Sequence, residues 1–266
     1  MELKNCRQAY GETLRDLGRT DPNIVVLEAD LGKSTMSEMF RQAYSDRYFQ
    51  VGIAEQNMTS VAAGLALTGK TAFTNSFAVF STGRAYDQIR SSVAIPRLNV
   101  KICGSSAGLS DYGDGKTHQS IDDIALMRVL PGMTVLSPLD AVETAQMVRE
   151  MARIPGPCYI RLNRNDLPVY VDPGDEYHIG KLRMLRDGSD VCVFASGVMV
   201  TKALQAAELL QSEGVSARVV SVSTIKPLDA SALMAYCRGV KAVVTSEEHN
   251  VHGGLGSAIC EALSLQ

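Results

Sequence analysis

The sequence lacks the features that mark several large protein classes. Across its 266 residues, no apolar run approaches the roughly 20 residues of a membrane-spanning helix, so no membrane association is expected. Neither sign of charge is in excess, because 26 Lys and Arg residues face 29 Asp and Glu residues, for a net charge of -3. Nucleic acid is therefore not an expected partner, since its recognition relies on a positive surface field.

Cysteine is sparse and is not arranged for a disulfide framework or a metal site. The six cysteines form no Cys-x-x-Cys pair and have no His at metal-ligand spacing. We interpret them as reduced, mostly buried thiols. The first residues also lack the basic and then apolar pattern of a signal peptide, and the sequence therefore predicts a cytoplasmic protein.

Apolar runs of strand length alternate with helical periods along the chain, which predicts an α/β fold with a doubly wound, mostly parallel sheet. The first domain is expected over residues 1–162. Its six strands are expected at residues 24–27, 48–51, 71–74, 100–103, 134–136 and 158–160. Its helices are expected at residues 8–17, 35–43, 56–67, 82–93, 121–128 and 141–151.

A polar stretch rich in Pro and Gly, at residues 163–189, breaks this periodicity and is interpreted as a linker. Residues 190–266 are expected to form a smaller, three-layer α/β domain. Its strands are expected at residues 191–195, 218–222 and 242–246, and its helices at 201–211, 230–237 and 255–263. Because this domain ends on a helix without a closing strand, the chain is a candidate for truncation at residue 266.

Glu55 is the first candidate for chemistry, because it joins the end of a predicted strand to the start of a predicted helix. Active sites of open α/β sheets lie at such carboxyl strand ends. Apolar neighbours disfavour its charged form, whereas the helix dipole favours that form. Spacing alone leaves two interpretations open, a functional acid and an ordinary acid at a helix N-terminus, and favours the second.

Two further segments have the composition of a binding site. Phe77 and Phe80 lie in a loop between a predicted strand and a predicted helix, where they form either a stacking face for a flat ring or ordinary core. Residues 104–120 are rich in Gly and polar side chains, and a loop of this kind is more often functional than not. His118 in this loop is interpreted either as a substrate contact or as a structural residue.

Taken together, four motifs resemble those of transketolase, in their order and their spacing. The resemblance extends over essentially the whole chain, but it covers only the second half of an ordinary transketolase, as in the split, two-subunit form. The motifs are Gly-Ile-Ala-Glu-Gln-Asn-Met at 52–58, the 77–80 loop with Arg-Ala-Tyr-Asp-Gln, Gly-Asp-Gly-Lys-Thr-His-Gln at 113–119 and Glu-Glu-His-Asn-Val-His-Gly-Gly-Leu-Gly at 247–256.

The resemblance implies a thiamine diphosphate pyrimidine-binding domain followed by a transketolase C-terminal domain. Glu55 matches the acid that hydrogen-bonds the ring nitrogen N1′ of the cofactor's aminopyrimidine, and it is therefore implied to be catalytic. Phe77 and Phe80 match the aromatic pair that packs against that ring. His118 is implied to contact donor-sugar hydroxyls and to be a second catalytic residue.

The remaining implied site residues belong to the substrate. Asp30 matches a pocket aspartate, and Asp114 matches one that recognises the hydroxyl next to the acceptor carbonyl. Arg7, Ser34 and Arg164 match the residues that hold a sugar phosphate, a task that suits the two parallel donors of a guanidinium group. Ser106 departs from the family, which often has a His there. The resemblance therefore does not predict how tightly phosphate binds, or which length and head group the acceptor has.

The resemblance also implies that this chain is half of an enzyme, whose other half is a separate subunit. Thiamine enzymes bind the cofactor's diphosphate through a metal, with a Gly-Asp-Gly motif followed about 30 residues later by Asn, because the diphosphate needs a cation. Residues 113–115 have these letters, but no Asn lies between Asn99 and Asn163, so no metal ligand is expected in this chain. The implied Mg²⁺ or Ca²⁺ belongs to an N-terminal partner subunit, and an α2β2 assembly is implied.

The predicted function is that of the C-terminal subunit of a transketolase, which moves a two-carbon ketol unit from a ketose phosphate to an aldose phosphate. Two alternatives stay open. The first is the matching half of a deoxyxylulose phosphate synthase or the β subunit of a 2-oxo-acid dehydrogenase. The second is a non-catalytic paralogue that binds a protein partner.

Overall fold

The strands and helices alternate as the sequence predicts. The structure, a computed structural model, describes residues 2–264, so Met1, Leu265 and Gln266 of the predicted domains lie outside it. The strands are β1 (Leu3–Asn5), β2 (Ile24–Glu28), β3 (Tyr48–Gln50), β4 (Thr71–Phe77), β5 (Val100–Ser105), β6 (Thr134–Leu136), β7 (Cys158–Arg161), β8 (Asp166–Pro168), β9 (Arg183–Arg186), β10 (Val191–Ala195), β11 (Ala217–Ser221), β12 (Thr224–Lys226) and β13 (Ala242–Ser246).

The helices lie between these strands and cover both faces of the sheets. They are α1 (Cys6–Thr20), α2 (Gly32–Thr35), α3 (Glu38–Ala43), α4 (Glu55–Leu67), α5 (Tyr86–Gln88), α6 (Asp123–Arg128), α7 (Ala141–Arg153), α8 (Met199–Ser212), α9 (Ala230–Cys237) and α10 (Leu255–Ser264). No helix among residues 2–264 has the length and apolar content of a membrane span.

The large sheet has the strand order β12-β6-β7-β5-β4-β2-β3 and is parallel except for β12. Alternate side chains of β2 point to opposite faces, as the strand period requires. Val25 and Leu27 pack in one core with α4 and α6, whereas Ile24 and Val26 pack in a second core with α1 and α7. The doubly wound α/β fold is therefore confirmed.

The smaller sheet has the order β13-β10-β11-β9 and is also covered on both faces. Val193 and Val219 pack with α8 on one face. Phe194 and Val220 pack with α9 and α10 on the other. This arrangement is the predicted three-layer domain.

Several predictions of secondary structure need correction, because short segments are set by tertiary contacts. The segment interpreted as a linker contains β8, which pairs with β1, and β9, which pairs with β11. The large sheet has a seventh strand, β12, from the predicted second domain. The helix predicted at 35–43 is interrupted at Met36, which has a φ of 64°.

The cysteines are mostly buried, as predicted. Cys6, Cys103, Cys158 and Cys192 are buried, Cys237 is half-buried and Cys260 is exposed, and all six are free thiols. Burial raises the pKa of Cys6, Cys103 and Cys192 to about 12, so these thiols stay protonated and act as small apolar side chains.

Candidate active site

The carboxyl ends of β2, β4, β5 and β7 meet at one edge of the large sheet, because these strands are parallel neighbours. Phe77 is the last residue of β4, and α4 begins at Glu55 shortly after β3. This edge is where open α/β sheets place their ligands. The structure therefore gathers most of the candidate residues where the topology predicts a site.

Glu55 is buried at this edge, with 1% of its surface exposed. Arg84 Nη1 donates hydrogen bonds to both carboxylate oxygens, at 3.0 Å to Oε1 and 2.8 Å to Oε2. Ser76 Oγ lies 3.5 Å from Oε1 and donates a weaker bond. A buried carboxylate needs such partners, since desolvation without them is costly.

An aromatic pair lies next to this carboxylate. The rings of Phe77 and Phe80 are stacked, with centroids 6.3 Å apart and an angle of 13° between their planes. The His118 ring meets both edge-on, at 5.9 Å from Phe77 and 5.2 Å from Phe80. The guanidinium carbon of Arg84 lies 4.6 Å from the Phe80 centroid. We call Glu55, Phe77, Phe80, Arg84 and His118 the Glu55 cluster.

The backbone between β4 and β5 explains why Arg84 joins this cluster. The predicted regular helix at 82–93 is wrong in detail, because Phe80–Arg84 and Ile89–Ala94 are π-helical turns on either side of α5. Such turns are rare and frequently occur at functional sites. The first turn brings Arg84 over the ring of Phe80.

The polar loop that carries His118 is anchored by Glu248, a residue from the end of the small sheet. Glu248 accepts hydrogen bonds from Ser110 N at 2.7 Å and from Ser110 Oγ at 2.9 Å. Gly108, with a φ of +88°, packs so closely on Glu248 that a Cβ there would collide with its side chain. The Glu-Glu-His motif therefore positions the loop.

A second cluster forms beyond this loop. Arg164 Nη1 donates to Asp111 Oδ1 and to Asp114 Oδ2, both at 2.7 Å. Arg7 donates from Nη1 to the Ser34 carbonyl at 3.0 Å and from Nη2 to the Arg164 carbonyl at 3.3 Å. We call Arg7, Ser34, Asp111, Asp114 and Arg164 the Arg164 cluster.

The charges of the Arg164 cluster influence one another. The hydrogen bond to Asp111 raises the pKa of Arg164, which secures its positive charge. Burial lowers the pKa of Arg7, and the nearby Arg164 lowers it further. Asp111 Oδ2 and Arg7 Nε are buried and have no hydrogen-bond partner in residues 2–264. The cluster therefore contains two guanidinium groups, of which Arg164 is paired with two carboxylates, together with one unused donor on Arg7 and one unused acceptor on Asp111.

Asp30 lies apart from both clusters. It is exposed, has a φ of 65°, and its backbone N–H donates to Gln50 Oε1 at 3.0 Å. Its loop is shaped by buried Glu28, which accepts hydrogen bonds from the Leu31 amide at 2.9 Å and from Ser37 Oγ at 2.6 Å. Burial raises the pKa of Glu28 to about 7, because desolvation outweighs these donors.

Ser106, the position that departs from the family pattern, follows β5 directly. It is fully buried, has a φ of 55°, and its Oγ has no hydrogen-bond partner in the part of the chain that the structure describes. The backbone is strained there, since a side chain in the left-handed region is uncommon.

The two histidines of the C-terminal motif differ in their surroundings. His249 Nε2 accepts from the Ala125 backbone N–H at 3.3 Å, whereas His252 is exposed. Among residues 2–264, no group of three or more His, Cys, Asp and Glu side chains is placed to hold a metal ion.

Three residues of the site are not predicted by the sequence as functional. Arg84 and Glu248 lie within motifs that resemble transketolase but have no implied role, and Asp111 is one of several polar residues in the loop at 104–120. Each acts through a contact that spans many residues, such as Glu55 with Arg84 or Asp111 with Arg164. Residue spacing carries no signal for such contacts.

Comparison with known families matches nearly the whole chain to two models. Residues 3–169 match the transketolase pyrimidine-binding domain, and residues 180–266 match the transketolase C-terminal domain. The first match covers the large sheet except β12, and the second match covers the small sheet together with β12.

Curated relatives carry related names. A Methanocaldococcus jannaschii protein named as a transketolase C-terminal section is 43% identical over 98% of this chain and 82% of its own length. A 6-deoxy-6-sulfo-D-fructose transketolase subunit from Clostridium sp. strain MSTE9 is 42% identical over 97% of this chain and 80% of its own.

A solved structure is similar throughout. It is described as a split gene transketolase in an inactive β4 tetramer, and it has 48% sequence identity and a TM-score of 0.91. The similarity covers 98% of this chain and 86% of that chain. Fold and sequence therefore agree on one family.

Proposed function

Because this chain belongs to the transketolase family, we propose that it is the C-terminal subunit of a split, thiamine diphosphate-dependent transketolase. It would transfer a two-carbon ketol unit from a ketose phosphate to an aldose phosphate. The observation that carries the proposal is the Glu55 cluster, in which a buried carboxylate lies beside a stacked aromatic pair.

The residues of the Glu55 cluster fit an aminopyrimidine ring. Such a ring is flat and aromatic, so it packs well on Phe77 and Phe80. Its nitrogen N1′ needs a carboxylate partner, and Glu55 presents one in a desolvated setting where a shared proton is held firmly. When bound, thiamine diphosphate supplies the electron sink for breaking and forming carbon–carbon bonds.

The role of Glu55 is to hold or release a proton at N1′, which is acid–base catalysis at a positioned carboxyl group. His118 contacts the aromatic pair edge-on, and its Nδ1 already pairs with Thr117 Oγ1 at 3.0 Å, so Nε2 is the ring nitrogen proposed to bind sugar hydroxyls near the bound ring. Both residues act by position, since they are held by packing before substrate arrives.

The Arg164 cluster supports an anionic substrate. Arg7 and Arg164 lie together with Ser34, and Arg7 Nε is a buried donor without a hydrogen-bond partner in residues 2–264, which suits a tetrahedral anion. A phosphate and a sulfonate share this chemistry, and one relative is named for a sulfosugar. We therefore propose a phosphorylated or sulfonated ketose as donor, with Asp30 in the sugar pocket and Asp114 on the hydroxyl next to the acceptor carbonyl.

An N-terminal subunit is the proposed partner, in an α2β2 assembly. It would carry the diphosphate site and its Mg²⁺ or Ca²⁺. The similarity to a chain described as a split gene transketolase supports this division of the site.

The test is a turnover assay of the chain mixed with a candidate N-terminal subunit, thiamine diphosphate and Mg²⁺. Ketose phosphates and 6-deoxy-6-sulfofructose serve as donors, and each subunit alone is the control. We expect aldose-dependent ketol transfer only in the mixture. Pyruvate consumption with release of carbon dioxide would instead support the synthase or dehydrogenase alternative. A mixture that binds no cofactor would support the non-catalytic paralogue.

A further inference from the structure

Arg84 already contacts the two groups that the proposed cofactor ring would contact, the Glu55 carboxylate and the Phe80 ring. Its Nη1 donates to both oxygens of Glu55, and its guanidinium plane lies over Phe80 at 4.6 Å from the centroid. No other residue of the Glu55 cluster contacts the carboxylate and the aromatic face at once.

A guanidinium group resembles an aminopyrimidine in the contacts it makes. Both are flat, both stack on aromatic rings, and both donate an N–H hydrogen bond to a carboxylate, the pyrimidine from N1′ when that nitrogen carries a proton. On the basis of the proposed function, we propose that Arg84 occupies the aminopyrimidine position in the chain without cofactor and leaves Glu55 when the cofactor binds. We call Arg84 in this role a placeholder.

The chain needs such a placeholder because Glu55 is only 1% exposed. A buried carboxylate without a partner is strongly destabilising. Arg84 supplies the missing positive charge while the site is empty, and the cofactor ring then takes its place with the same two contacts.

The contact is also built to be released. The Arg84 side chain is 46% exposed, so its charged end reaches water by rotation of a flexible stem. Both hydrogen bonds come from one nitrogen, Nη1, rather than from the stronger two-nitrogen fork. Cofactor binding therefore competes with Arg84, which lowers the apparent affinity.

The experiment is a calorimetric titration of thiamine diphosphate with Mg²⁺ into the chain mixed with its N-terminal subunit. The variants are Arg84→Ala, which removes the competitor, and Arg84→Lys, which keeps the charge without the plane. Arg90→Met, an exposed change in the next turns of the same segment, is the matched control. Thermal unfolding of each chain, with and without cofactor, gives a readout that is independent of turnover.

We expect Arg84→Ala to bind the cofactor about fivefold more tightly than the wild type, since removal of a half-exposed ion pair has an effect of this order. It should also gain more thermal stability on cofactor addition, and Arg84→Lys should lie between the two. If Arg84→Ala does not fold, tighter binding by Arg84→Lys is the supporting result.

Unchanged or weaker binding by the folded variants would overturn the placeholder, and weaker binding would make Arg84 a cofactor contact. This outcome leaves the proposed function intact, because the wild type still binds. A wild-type mixture that binds no cofactor would instead overturn the proposed function, and the placeholder with it.

Discussion

The Glu55 cluster and the Arg164 cluster lie at the same edge of one sheet, but they are held in different ways. Glu55 begins α4, Phe77 ends β4 and Arg84 ends a π-helical turn, so backbone hydrogen bonds place them. In the Arg164 cluster, Asp111, Asp114 and Arg164 lie on the loops after β5 and β7 and are held by one another's side chains, while Arg7 and Ser34 lie in α1 and the short α2.

Two buried glutamates hold the segments that carry this second cluster. Glu28 bonds to both ends of α2, the short helix that carries Ser34, and Glu248 holds the loop that carries Asp111 and Asp114. Regular elements thus position the proposed acid–base chemistry, whereas buried carboxylates position the proposed substrate contacts. Substitutions in the Glu55 cluster should therefore change the chemical step, whereas substitutions around the Arg164 cluster should change the geometry of substrate binding.

The largest effect is expected in the Glu55 cluster. Glu55→Gln keeps the shape of the side chain but removes the carboxylate, so kcat of the assembled enzyme should fall about 1,000-fold, as for the loss of a general acid–base. Steady-state turnover measures this, with thermal unfolding as a check of the fold. Glu208→Gln, on the exposed side of α8, should leave kcat unchanged. Near-normal turnover of Glu55→Gln would contradict the assignment.

The second largest effect is expected for Glu28, the buried carboxyl group that holds the segment with Ser34. Burial raises the pKa of Glu28 from 4.5 to about 7, so the folded chain keeps its proton where the unfolded chain has lost it. The stability from this group is therefore fully present below pH 4.5 and is lost as the pH rises through about 7. The loss should be about 3 kcal/mol in the free energy of unfolding.

Urea unfolding between pH 4.5 and pH 7 measures this loss. In Glu28→Gln, the part of the fall in the free energy of unfolding that comes from Glu28 should disappear. Glu143, whose pKa burial also raises to about 7, should cause a similar fall that survives in the variant. The exposed Glu208→Gln variant serves again as the control. An identical pH dependence in Glu28→Gln and the wild type would show that Glu28 ionises normally in the folded chain.

The elements of the fold also differ in how far the sequence predicts them. Strands such as β2 and β5 are β-branched or apolar runs, and Glu55 lies at a junction that any α/β sheet exposes. The strands β1, β8 and β12 have three residues each, of which only one is Leu or Ile, which gives no apolar run, and their pairing partners are far away in sequence. Local pattern therefore predicts the scaffold and not its edges.

In the site, the resemblance to transketolase supplied roles, but it did not supply the ion pairs. Arg84 reaches Glu55 from the end of a π-helical turn, and Asp111 reaches Arg164 from a loop that Glu248 anchors. These contacts follow from the three-dimensional course of the chain, which no residue spacing encodes.

The smallest effect is expected for Arg164→Lys, which keeps the positive charge and loses the planar fork. Asp111 and Asp114 retain a cationic partner, so the Arg164 cluster should keep its geometry. The KM for a phosphorylated donor should rise about tenfold, as for one lost charge-assisted hydrogen bond, with kcat retained. The KM for the same donor without its phosphate should not change. Arg149→Lys, an exposed change on α7, is the control, and a fall in kcat with KM unchanged would place Arg164 in the chemistry of the Glu55 cluster instead.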